Sequence, residues 1–137
     1  MKLILLPVVA LAALLALAPS ARAGSDLEKE MKVLKKVTRD LGRLEGDFAK
    51  GQELAKQAIE ASKKSREMVP EKVADMKDEL AKTAATEEYK KQMDALIEAY
   101  AVVEKACMDK DEAKLKESLD ALDALKKKGH QQFTDEE

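Results

Sequence analysis

From Leu27 onward the apolar residues recur every three or four positions, the pattern of helices that each bury one stripe. Leu27, Met31, Leu34, Thr38 and Leu41 make the first stripe. A capping box at Ser25-Asp-Leu-Glu28 opens it, with the serine satisfying an early backbone N–H and the glutamate reaching back. Gly42 and Gly46 mark its end. A second helical stretch runs from about Asp47 towards Met68 and offers Phe48, Leu54, Ala58, Ile59 and Ala61 to a core, until Pro70 closes it. Val73, Met76, Leu80 and Ala84 keep helical spacing, so Glu71 to Thr86 reads as an ordered, partly helical connection. The third long helix carries Tyr89, Met93, Leu96, Ile97, Tyr100, Val103 and Cys107. Asp109-Lys-Asp-Glu112 opens a fourth with Leu115, Leu119, Leu122 and Leu125. No segment shows strand alternation. The pattern predicts an all-α fold, an antiparallel up-down-up-down four-helix bundle.

The start of the chain follows a different rule. Met1-Lys2 is a short positive start, Leu3 to Ala18 is almost continuously apolar, and Ala21 and Ala23 supply the small residues a signal peptidase reads. The apolar run is about 16 residues, short of the ~20 that span a bilayer. Residues 1–23 are therefore expected to be a cleaved signal peptide. Residues 24–137, about 114 in all, form one domain, and the protein is expected to be periplasmic.

Composition narrows the function. With Lys2 and Arg22 assigned to the leader, 23 basic residues face 27 acidic ones, a formal charge of −4. That balance speaks against nucleic acid and against stable attachment to an anionic membrane surface. Cys107 is alone, so no internal disulfide forms; it reads as a small buried apolar residue, and the protein is expected to be a monomer. One histidine, no Cys-His pair and no Gly-rich phosphate loop leave no catalytic constellation, so an enzyme is not expected.

That histidine, His130, lies eleven residues after Leu119, about 20° away around the helix at ~100° per residue. Lys126 falls on the same side. At the other end of the chain, Met31 points inward from the first helix. In an up-down-up-down bundle these two helix ends share one pole, so Met31 and His130 can face each other. Methionine and histidine are a recurrent axial pair for haem iron, and the absence of Cys-x-x-Cys-His rules out covalent attachment. On the residues alone, a methionine in an apolar stripe is more often core filler and a terminal histidine more often solvated. A metal site joining His130 to Glu136 or Glu137 is a further, weaker option.

From Ser25 to Phe133 the chain resembles the soluble cytochrome b562 family. Ser-Asp-Leu-Glu-Lys-Glu-Met31 is similar to that family's mature start, and Leu122, Lys126 and His130-Gln131 align without gaps on its last helix. The chain departs at Gly129, where the family has a bulky residue, and at Lys126, where it can have arginine. The resemblance implies one noncovalent b-type haem with Met31 and His130 as iron ligands, Lys126 against a propionate, and Leu34, Tyr89 and Met93 beside the porphyrin. It implies electron transport with a periplasmic redox partner. The alternative is a haem-free periplasmic helical bundle serving as a binding or stress-response module. Lys126-Lys-Lys-Gly129 could stop the fourth helix, but it is expected to continue through Gly129 to at least Gln131, because Phe133 then adds one more apolar contact to the stripe. A mid-helix glycine costs ~1 kcal/mol relative to alanine.

Overall fold

The computed structural model describes the backbone over residues 20–134 and side chains over residues 26–134. Of the signal-peptide reading of residues 1–23, residues 1–19 lie outside the described residues, as does the option using Glu136 and Glu137. Among the described residues all regular structure is helical: α1 (Ser20–Leu41), α2 (Phe48–Arg66), the single turn α3 (Glu71–Ala74), α4 (Glu79–Met108) and α5 (Glu112–Phe133).

Aspartate side chains start three of the long helices. Asp47 accepts from Lys50 N–H, Asp78 from Leu80 N–H and Asp111 from Lys114 N–H, each satisfying a donor that has no partner within its helix. The first helix differs from expectation. It is continuous from Ser20, so Ser25 lies within it rather than capping it. Ala21, Arg22 and Ala23 are strong helix formers and carry the helix past the serine. Gly46, with φ of 90°, and Glu45, with φ of 50°, turn the chain into α2.

The four long helices pack against one another around Leu34, Val37, Leu41, Ala58, Tyr100 and Leu122, all essentially buried. The closest neighbours are α1 with α2, α2 with α4 and α4 with α5, whereas α1 and α5 approach less closely. Small residues let α2 and α4 come together. A Cβ on Gly51 would lie 2.5 Å from Cys107 Sγ and 2.8 Å from Leu44 Cδ1. Cys107 is fully buried, as expected of a small apolar residue, and burial pushes its thiol pKa up. Arg66 Nε donates to Asp94 at 2.6 Å across the same pair of helices.

The connection before α4 is shorter than the sequence pattern suggested. The third long helix begins at Glu79, ten residues before Tyr89, because the Asp78 cap is followed by helix-forming Glu-Leu-Ala-Lys. Val73 is buried but Leu80 is 84% exposed, so helical spacing over 73–84 does not mark one buried stripe. The first turns of α4 extend past the neighbours that could cover them. No described helix is long and apolar enough to cross a membrane.

Candidate functional site: a cavity between three helices

Where α1 and α5 stand apart, a cavity of about 620 Å³ opens towards α4. Its walls are apolar: Leu27, Leu34, Tyr89, Met93 and Leu96 all face it. Every expected site residue lines it. Met31 and Leu34 come from α1, Tyr89 and Met93 from α4, and Lys126 and His130 from α5. Leu34, Tyr89 and Met93 are buried at 3% exposure each, while Met31 is half-buried against the core.

His130 is placed differently from expectation. It lines the cavity but is an exposed residue, on the flank of α5. The buried face of α5 is Leu115, Ser118 and Leu122, with Leu119 only partly covered. Measured from Leu122, His130 lies about 80° around the helix at ~100° per residue. Taking Leu119 as the centre of the face set the histidine too far inward.

The end of α5 is nevertheless held. The helix continues through Gly129 to Phe133, as the apolar spacing predicted. Phe133 meets Tyr89 edge to face, and the Gln92 side-chain amide donates to Gln132 Oε1. Gly129 packs near α4, and a Cβ there would lie 3.4 Å from Gln92 Oε1. That oxygen is buried and has no hydrogen-bond partner. Tyr89 is fixed on its other side, its hydroxyl donating to Ser65 O at 2.7 Å, and burial pushes its pKa well above the usual phenol value. Deeper in the bundle, the Tyr100 and Thr38 hydroxyls share a hydrogen bond of 2.8 Å.

The mouth carries three lysines, Lys32, Lys35 and Lys126, against one carboxylate, Glu28. Lys126 is half-buried there, and burial, reinforced by the nearby Lys35 charge, lowers its pKa even though Asp123 opposes the shift. Asp123 itself pairs with Lys127 at 3.2 Å. Sequence reading missed Lys35, although it lies one turn after Met31, and it missed Gln92, whose amide has no distinguishing pattern in the sequence.

The cavity is of a size that suits a cofactor or a drug-sized ligand. Its donor set, a thioether and an imidazole on separate helices with apolar walls between, suits haem iron and the porphyrin around it. Among the described residues no cluster of three or more His, Cys, Asp or Glu could hold a metal ion. No family model, curated protein or solved structure matches the chain.

Proposed function

We propose that this protein is a periplasmic electron carrier of the cytochrome b562 type, holding one noncovalent b-type haem in the cavity between α1, α4 and α5. The observation that carries this reading is the convergence of Met31, Leu34, Tyr89, Met93, Lys126 and His130, drawn from three helices, on one apolar cavity. An antiparallel up-down-up-down course belongs to the same reading. Cross-helix pairs support it: Arg66 at the end of α2 meets Asp94 midway along α4, while Gly51 near the start of α2 meets Cys107 near the end of α4. Gln92 in α4 likewise meets Gln132 at the end of α5.

Haem, when bound, supplies one-electron redox chemistry at iron. The chain's own residues set its terms. The Met31 thioether and the His130 imidazole would hold the iron between them, and the chemistry the group would supply there is electron transfer. A thioether favours the ferrous state, and the buried Leu34, Tyr89 and Met93 exclude water and disfavour the additional charge of the ferric state. Lys126 balances an anionic edge of the cofactor at the cavity mouth. The partners are haem and a periplasmic redox protein, and the carrier acts as a monomer.

A second reading is favoured by one observation, the exposure of His130. A haem-free bundle would leave this histidine in solvent and use the cavity for another apolar ligand. An absorption spectrum of the purified exported protein, with haem added, oxidised and then reduced, separates the two. Low-spin, six-coordinate bands lost in His130→Ala support the cytochrome. A protein that stays colourless, or whose spectrum ignores both Met31→Ala and His130→Ala, refutes it.

A further inference from the structure

Met31 and Lys35 are four residues apart on α1, and Lys126 and His130 are four apart on α5. All four line the same cavity, and Lys35 lies near enough to Lys126 for the two charges to interact. Four helical residues rise about 6 Å, one turn. The cavity thus carries two rungs, a methionine–histidine rung and a rung of two lysines, one turn later on α1 and one turn earlier on α5.

The lysine rung lacks the usual compensation. Elsewhere on α1 lysines pair with carboxylates four residues away, as Lys36 does with Asp40 and, at the rim of this cavity, Lys32 with Glu28, the cavity's one carboxylate. Neither Lys35 nor Lys126 has a carboxylate at ion-pair distance among the described residues, and the Asp123 carboxylate beside Lys126 is engaged by Lys127. Two like charges close enough to interact line the same cavity, Lys126 half-buried and Lys35 exposed. Burial of unpaired cations costs stability, and an anion between them removes both the repulsion and part of the desolvation cost.

We propose that Lys35 and Lys126 form a two-point anion clamp, so that the cavity selects an amphiphile with a flat apolar body and two carboxylates at one edge. The inference rests on the proposed cofactor reading and deepens it, by assigning the second cation to Lys35 and by making the acid groups determinants of binding rather than passengers. The body of the ligand fills the space among Leu34, Tyr89 and Met93, and its acid edge faces the mouth. Affinity therefore depends on salt, because partly exposed ion pairs are screened.

Metal-free protoporphyrin IX, a diacid with no iron to ligate, and its dimethyl ester isolate the clamp from the axial ligands. Fluorescence titration of the purified exported protein should show the diacid bound about tenfold or more tighter than the ester, as expected of two partly desolvated charge pairs. The preference should shrink when salt is raised, and Lys35→Met should bring it close to parity. Lys126→Met serves as the matched control on α5. Circular dichroism confirms that each variant is folded, and methionine keeps the apolar stem of the lysine it replaces. Equal binding of diacid and ester, a preference that survives Lys35→Met, or no binding of either porphyrin overturns the clamp. The cofactor reading fails separately. Low-spin haem bands with no acid preference overturn the clamp alone, and an acid preference with no axial-ligand spectrum overturns the haem assignment alone.

Discussion

The Tyr89 ring stands edge-on to Phe133, with centroids 5.4 Å apart and planes at 81°. This contact joins the first buried position of α4 to the last turn of α5, and it lies three residues after the candidate iron ligand His130. Phe133→Ala removes an aromatic pair worth roughly 0.5–1.5 kcal/mol, together with partial apolar burial. Unfolding by urea should show a loss of about 1–2 kcal/mol. The larger effect should be local, as faster amide exchange from Gly129 to Phe133 and weaker haem affinity at unchanged spin state. Unchanged exchange there would mean that the pair does not hold the helix end.

Gly51 offers a test of core packing away from the cavity. Its alanine variant places a methyl group against Cys107 Sγ and Leu44 Cδ1, and overpacking of that kind costs roughly 1–3 kcal/mol. Cys107→Ala should partly rescue Gly51→Ala, because it removes the nearer of the two obstacles but leaves Leu44. Additive losses in the double variant would contradict the contact.

The two axial candidates should not behave alike. His130→Ala should remove most haem affinity, since the imidazole is the stronger ligand and the sequence has no other histidine. Met31→Ala should retain haem, open one coordination position to small ligands and lower the reduction potential. Carbon monoxide binding and potentiometry read these outcomes. Identical behaviour of both variants would argue against Met/His ligation.

Lys126 should trade stability for binding. Burial and Lys35 lower its pKa in the folded chain, so its protonated form disfavours folding at neutral pH, and that cost fades as pH rises from the lowered value towards the ordinary lysine value. Lys126→Met should therefore stabilise the cofactor-free protein by several tenths of a kcal/mol, roughly, and weaken diacid binding. Thermal unfolding near pH 7 and near pH 11 checks the sign: the gain should be smaller at the higher pH.

Tyr89 acts with the opposite sign. Burial raises its pKa above the ordinary value of 10.0, so its contribution is fully present below pH 10 and is lost as pH climbs towards the raised value. Tyr89→Phe should cost about 1 kcal/mol at neutral pH through loss of the bond to Ser65 O. It should also lose stability less steeply above pH 10 than the parent. Denaturant midpoints between pH 7 and pH 11 give both results.

Helix identity was legible because it is a local property. The spacing of Leu27, Leu34 and Leu41, the aspartate at position 111 and the persistence of α5 through Gly129 all follow from propensity, capping and a repeating stripe. Helix extent was less legible at the ends. Ser25 could have capped α1, but preceding helix formers carried the helix back to Ser20. Leu80 continued a helical pattern yet has nothing to pack against.

The candidate site divides along the same line. The sequence by itself determined that Met31, Lys126 and His130 sit on helices, at fixed rotations from their apolar neighbours, because 3.6 residues per turn fixes angles within a helix. Only the tertiary structure decided that α1 and α5 stand apart, that the space between them reaches Tyr89 and Met93, and that Lys35 comes near Lys126. It also moved His130 from the inner face to the flank. The physical reason is that the reference direction for each stripe is set by which neighbour a helix meets. That choice depends on summed burial over all the helices, with Leu122 rather than Leu119 as the residue of α5 that burial removes most completely from water.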